Sequence, residues 1–224
     1  MSLTLVIGNR NYSSWSLRAW LYLRESGLEF EEVNISLHVD NWRDEVAKYT
    51  SAGRVPVLID DDITVWDSMA IMAHLLERYP DAVGWPADPI QRAFARSISA
   101  EMHSGFLAIR DGLPQNIRIR RTAPVSDRCR AQIDRVQAIW RECRERFGDR
   151  GPWLFGELSI ADVMFVPVAL RFVSYDIPVE GRAAEFVDAT LALPSVQEWV
   201  SAAQDEDLAL DFVDELGKGD MILG

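Results

Sequence analysis

Near residue 80 the hydrophobic pattern of this chain changes kind. Before that point short apolar runs alternate with stretches of three-to-four periodicity. After Pro89 the strand signals largely vanish, and apolar residues recur at helical spacing through most of the remaining sequence. Strands and helices segregated in this way imply two units, a small mixed α/β domain and an all-helical one. We place them at residues 1–80 and 89–224, joined by a linker at 81–88 rich in Pro, Gly, Asp and Ala.

Within the first block, Leu3 to Ile7 reads as a strand and Ser14 to about Glu25 as a helix, with Gly27 placed to end it. Phe30 to Leu37 alternates as a second strand. Asp40 to Tyr49 carries a weak helical signal. A hairpin follows, with Val55 to Ile59 and Ile63 to Trp66 flanking an Asp60-Asp61-Asp62 turn. A helix then runs from Ser68 to Tyr79, where Pro80 stops it. The order is βαβαββα. In the second block Ile90, Phe94, Ile98, Met102, Phe106 and Ile109 predict one long helix, and Cys129 to Phe147 a second. Ser159-Ile160-Ala161-Asp162 has the spacing of a capping box, with Asp at N3. The helix that it opens is apolar nearly all round, hence central, and contains Pro167. Shorter helices are expected at 183–190 and 195–204, then an acidic tail with an apolar end.

Composition narrows the function. The 224 residues are 48% hydrophobic and 26% charged, and no apolar run reaches the length of a membrane span. The N-terminus opens directly on strand-like sequence, so a cytoplasmic protein is expected. A net charge of -12 argues against nucleic acid or an anionic membrane as partner. The two cysteines, Cys129 and Cys143, form no Cys-x-x-Cys, and His38, His74 and His103 are scattered, so no metal site is expected.

Three local devices carry chemistry. The first is Tyr12-Ser13-Ser14-Trp15-Ser16 at the start of the first helix, where Ser13 or Ser14 can cap the helix and unpaired N–H groups favour an anion, including a thiolate. The second is Val55-Pro56. With a cis bond, Val55 would turn its N–H and C=O outward, free to pair with an extended peptide; with a trans bond it is an ordinary strand start. The third is Asp67-Ser68 at another helix start, able to hold a carboxylate and an ammonium, or simply to cap. Together they suit a small peptide-like ligand with an α-amino acid end and a group needing anionic stabilisation. Glutathione has all of these.

On Ser13-Ser14-Trp15-Ser16, Arg54-Val55-Pro56, Asp67-Ser68-Met69-Ala70-Ile71 and Ser159-Ile160-Ala161-Asp162, the chain resembles the glutathione S-transferase superfamily across both blocks. The resemblance implies a thioredoxin-like N-terminal domain followed by an all-α C-terminal domain, and a homodimer. It implies that Val55 pairs with the cysteinyl backbone of glutathione beside a cis Pro56, and that Asp67 and Ser68 take the γ-glutamyl end. Trp42 and Arg54 are candidates for the glycine carboxylate. Ser13 would contact the sulfur, with Ser14 as the fallback and Tyr12 ranked lower. Met102, His103, Phe106 and Arg110 are candidates for the electrophile side of the cleft, against a core or surface role. The serine run looks most like the zeta class, which includes maleylacetoacetate isomerases. That class has cysteine where this chain has Trp15, which weakens the specific isomerase expectation. The activity implied is a detoxifying glutathione transferase acting on a small electrophile. The alternatives are a glutathione-dependent isomerase or dehalogenase, or a scaffold that keeps the fold without catalysis.

Overall fold

Strand β1 (Leu3–Gly8) is the centre of the first block, described here from a computed structural model covering residues 2–215. Its alternation decides what covers each face of the sheet. Leu3, Leu5 and Ile7 point into the large core shared with helices α1 (Ser14–Glu25) and α3 (Ser68–Arg78). Val6 points the other way, into a small cluster with Ile35, Val46 and Val57. The short helix α2 (Trp42–Ala47) supplies Val46 and closes that face. Strands β2 (Glu31–Ile35), β3 (Val57–Asp60) and β4 (Ile63–Trp66) complete a sheet of order β2-β1-β3-β4. β1 pairs β2 in parallel, with α1 as the crossover, and β3 antiparallel. The second expected strand is shorter than its alternation, because only residues from Glu31 to Ile35 find partners on β1.

Helix α1 ends as its sequence predicts. Gly27 takes φ +64, its N–H reaches the Arg24 carbonyl, and the Leu28 N–H reaches that of Leu23. That is a Schellman closure, which favours glycine at the left-handed position.

The second block contains α4 (Pro89–Ser104), α5 (Leu107–Gly112), α6 (Asp127–Phe147), α7 (Ile160–Ser174), α8 (Arg182–Ala192), α9 (Pro194–Gln204) and α10 (Asp211–Asp214). The long helix expected through Ile109 is two helices. It breaks at Gly105, where a Cβ would lie 2.6 Å from the Glu101 carbonyl oxygen, and at Phe106, whose φ is +60. Arg110 seals the break by donating to the carbonyls of Met102 (2.8 Å) and Gly105 (3.3 Å). The apolar end of the tail, beyond residue 215, lies outside the described residues.

Helix α7 is buried along nearly its whole length, as its all-apolar sequence demands. Asp162 reaches back to the Ser159 N–H (2.8 Å) and also accepts from the Leu154 N–H (2.8 Å) and the Ser159 hydroxyl (2.7 Å). Trp140 on α6 packs against Phe165, Phe172 and Phe186 with ring centroids 5.0–6.1 Å apart, in tilted or edge contacts. The two blocks share one core through α1 and α7. A polar bond also crosses between them, Arg18 Nε donating to the Met164 carbonyl (3.0 Å), and the Ile160 N–H ties the linker to the second block by donating to the Gly84 carbonyl (3.0 Å).

Among the described residues no helix is long and apolar enough to cross a membrane.

Candidate active site

The N-terminus of α1 is built by serines. Ser13 is the N-cap, and its Oγ accepts the Ser16 N–H (3.3 Å). The Ser13 and Ser16 hydroxyls are 2.8 Å apart, and Ser16 Oγ also accepts the Gly8 N–H (3.0 Å). The Ser13 hydroxyl donates to Ser16 Oγ, so a ligand that takes the Ser13 proton must replace Ser16 as its acceptor. Ser14 Oγ accepts from Arg171 Nη2 (3.1 Å), which leaves the Ser14 proton available. The first turn of α1 holds no acid that would answer its positive dipole end.

Tyr12 is committed elsewhere. Its hydroxyl donates to Asp214 (2.8 Å) and accepts from Arg118 Nη2 (2.9 Å) and the Leu210 N–H (3.0 Å). This tether to the C-terminal segment occupies the Tyr12 hydroxyl.

The Val55-Pro56 bond is cis. Val55 stands just outside the sheet, whose ladders on β3 begin at Val57. Asp67 takes φ +79, and its Oδ1 caps α3 through the N–H groups of Met69 (2.9 Å) and Ala70 (3.3 Å). Its Oδ2 lies 3.1 Å from His103 Nε2. Ser68 Oγ is buried with no hydrogen-bond partner.

The serine turn and Val55 border a cleft of about 310 Å³, and the Asp67-Ser68 turn lies outside its lining. Ser13, Ser14, Trp15, Trp42, Arg54 and Val55 line one side, while Arg110, Pro114, Gln115 and Arg171 line the other. His103 stands edge-on to Trp15, ring centroids 5.2 Å apart, and so links the Asp67 turn to this cleft. Met102 and Phe106 go elsewhere: they are 0% and 5% exposed, packed in the core, with neither lining the cleft. The break at Gly105 is the physical reason, since it turns Phe106 inward and leaves Arg110 as the α5 residue that meets the opening.

The electrostatics are one-sided. Burial holds the Arg18 guanidinium well below its ordinary pKa, and the charges of Arg110 and Arg171 push it further down against a pull from Asp67. Arg171 is lowered to about 9, by burial first and then by Arg110. Arg110 is lowered by burial, opposed by Asp111. Three guanidiniums thus share one region of low dielectric, where an anion is stabilised far more than in water.

Arg171 and Gln115 escaped the sequence reading, and Arg18 entered it only as the end of the Ser-Ser-x-Ser-x-Arg run. Arg171 did leave a signal, as the one charged residue in the apolar stretch from Val163 to Phe172, because a charge in a buried helix face needs a reason. Gln115 left none, since it follows a Gly-Leu-Pro break whose course sequence does not specify.

The model of the glutathione S-transferase N-terminal domain matches residues 12–78, and that of the C-terminal domain residues 91–202. The chain belongs to the glutathione S-transferase family. Among curated glutathione S-transferase relatives, a probable maleylacetoacetate isomerase of Caenorhabditis elegans is 32% identical over 43% of this chain and 44% of its own length. A dichloromethane dehalogenase of Methylophilus leisingeri is 33% identical over 29% of this chain, and the match spans only 25% of that protein. A maleylacetoacetate isomerase of Pseudomonas aeruginosa is 26% identical over 84% of this chain and 91% of its length. Among solved structures, a glutathione transferase homolog from Burkholderia gl BGR1 with bound glutathione has 28% identity and a TM-score of 0.71, covering 92% of this chain and 100% of that one. The tau-class enzyme from mango shares the fold at 16% identity and a TM-score of 0.65, over 97% of this chain and 96% of that one.

Proposed function

We propose that this protein binds glutathione in the cleft and adds its thiolate to a small electrophile. The observation that carries this reading is the meeting of the serine turn of α1 with Val55, before cis Pro56, on one cleft, while the Asp67-Ser68 start of α3 connects to it through His103 and Trp15. The solution of the Burkholderia homolog with glutathione supports the choice of ligand.

In this reading Val55 pairs with the cysteinyl backbone and Ser68, whose hydroxyl is otherwise unpartnered, takes the γ-glutamyl carboxylate. Asp67 takes the ammonium, displacing His103 from Oδ2. Trp42 and Arg54 meet the glycine end, and Ser13 donates its proton to the sulfur. A free thiol of pKa about 8.5 is mostly protonated at pH 7, and a two-unit decrease requires about 2.7 kcal/mol of thiolate stabilisation. A hydrogen bond to a charged group supplies about 1.5–3 kcal/mol and a helix N-terminus about 0.3–1 kcal/mol. The pair covers the requirement, with the guanidiniums behind Ser14 adding to it. Ser13 acts as a hydrogen-bond donor and not as a base. The test is Ser13→Ala: an unchanged conjugation rate removes Ser13 from this role.

A second reading is isomerisation of the maleylacetoacetate type, which the named relatives favour. It uses the same activated thiolate but returns glutathione unchanged, so glutathione consumption during turnover separates the two. A non-catalytic glutathione-binding protein would bind without turnover of any electrophile. The same reading places the protein in the cytoplasm as a homodimer that covers the exposed Ile63, Trp66 and Ile90. Sedimentation velocity reads that assembly, and a monomer at micromolar concentration contradicts it.

A further inference from the structure

The turn that delivers Ser13 is held from outside its own block. It follows β1, and the Ser13 N–H bonds back to the Asn9 carbonyl (2.8 Å). The residues between these two turn to the helical block for partners. Glu206 accepts the Arg10 N–H (2.6 Å) through one carboxylate oxygen and the Asn11 N–H (3.0 Å) through the other. The Asn11 side chain is fully buried. It accepts the N–H groups of Ile117 (2.7 Å) and Arg118 (3.0 Å) and donates to Asn116 Oδ1 (3.0 Å). The Tyr12 hydroxyl donates to Asp214 (2.8 Å).

Asp214 joins these contacts into one network. Besides Tyr12, it accepts from the Leu210 N–H (3.2 Å) and from Asn116 Nδ2, the amide whose oxygen holds Asn11. Arg118 crosses the same group, donating to the Tyr12 hydroxyl (2.9 Å) and to the Leu208 carbonyl (2.7 Å). Burial raises the pKa of Tyr12, and Asp214 adds to the rise against the Leu210 and Arg118 donors. The phenol therefore stays protonated and serves Asp214 as a donor.

A buried polar network in which each member is satisfied fixes one geometry. Ser13 is the residue next along that needs it. Its hydroxyl has Ser16 Oγ as a competing acceptor 2.8 Å away, so a small displacement of the turn returns the proton from the sulfur to Ser16.

We propose that Asp214 is a positioning residue for thiol activation, fixing through Tyr12 and Asn116 the turn that aims the Ser13 hydroxyl at the glutathione sulfur. This rests on the glutathione reading. The sign of the effect separates positioning from charge. By charge alone, loss of the Asp214 carboxylate beside Arg118 favours the thiolate and lowers the pKa of the bound thiol. Loss of positioning raises it.

The test titrates the thiol of glutathione bound to the full-length protein, read by the ultraviolet absorbance of the thiolate, so no electrophile is needed. Asp214→Ala should raise the midpoint by about one pH unit, equivalent to about tenfold less thiolate well below it. Tyr12→Phe should shift it in the same direction, and the double variant should shift it no further than Asp214→Ala, because both act along one path. S-methylglutathione, which has no thiol to ionise, should bind wild type and variants with Kd values within about twofold of one another. A midpoint that stays or falls in Asp214→Ala overturns the proposal, and a fall would also follow if Tyr12, once released, met the sulfur itself. Shifts that add in the double variant overturn it too, as does a parallel loss of S-methylglutathione affinity, which marks damage to the whole site. Where Asp214→Ala does not fold, Tyr12→Phe decides by the same readings. Failure of the wild type to bind glutathione overturns the underlying reading and this role with it, whereas binding with an unmoved midpoint overturns the role of Asp214 alone.

Discussion

His103 Nε2 stands 3.1 Å from Asp67 Oδ2, so a residue of the helical block holds the carboxylate that opens helix α3. The other oxygen of Asp67 is occupied by capping, accepting the Met69 and Ala70 N–H groups. The carboxylate therefore has one fixed role in the fold and one exchangeable partner. Asp67→Asn keeps the cap, because asparagine caps as well as aspartate, but loses the charge. Glutathione affinity should fall about tenfold, close to 1.4 kcal/mol. Asp67→Ala should also lose about 1 kcal/mol of stability, or roughly 2–4 °C in Tm. Isothermal calorimetry and thermal unfolding separate the two effects. An Asn variant that binds as tightly as the wild type removes Asp67 from ammonium recognition.

The serine pair divides by hydrogen bonding. Ser13 donates to Ser16, and Ser14 accepts a hydrogen bond from the Arg171 guanidinium. Ser13→Ala should lower conjugation by about thirtyfold at pH 7, the loss of one hydrogen bond to a charged sulfur. Because that bond favours the thiolate, the deficit should shrink as pH rises towards the free-thiol pKa. Rate against pH for Ser13→Ala and Ser14→Ala checks this. The larger loss in Ser14→Ala would move the sulfur contact by one residue.

Asp162 makes stability depend on pH. Burial raises its pKa to about 6 from an unfolded value of 3.8, despite the bonds from Leu154 and Ser159 that favour its charge. The folded state therefore binds more protons than the unfolded chain between these values, and this group's contribution falls as pH rises through 4 to 6. Asp162→Asn removes acceptors from buried N–H groups and should cost about 2–3 kcal/mol at pH 5. The cost should be smaller by about 1 kcal/mol at pH 7.5, because the wild type has by then lost its protonation advantage. Urea unfolding of both proteins at the two pH values is the measurement. A cost that grows with pH contradicts the assignment.

Both cysteines are free and buried. Burial pushes each thiol above its ordinary pKa, the rise being largest for Cys143, where nearby Asp162 and Glu142 add to it. A thiol reagent should label neither Cys129 nor Cys143 in the native protein at pH 7.5 and both after denaturation. Fast labelling of the folded protein would place a thiolate where none is expected.

Much of this was legible in the residues because local chemistry wrote it there. The Ser13 cap, the Gly27 closure and the Asp162 back-bond each follow from a short spacing with one physical meaning. The cleft's near wall was legible for the same reason. The far wall was legible only at Arg110, a candidate on the expected long helix. Arg110 reaches it only because Gly105 and Phe106 break a helix whose apolar periodicity runs on unbroken to Ile109. That break also sends Phe106 into the core. Arg171 comes from a helix 157 residues away from its Ser14 partner, and such a meeting is set by tertiary packing. Periodicity reports which face of an element is apolar and not which turn of it meets another block.

The most direct test of the account is a calorimetric titration of glutathione at pH 7 in buffers of differing ionisation enthalpy. The account predicts saturable binding with close to one proton released, because the cleft holds the thiolate. Binding without proton release would contradict activation of the thiol by the serine turn, and no binding would contradict the glutathione reading altogether.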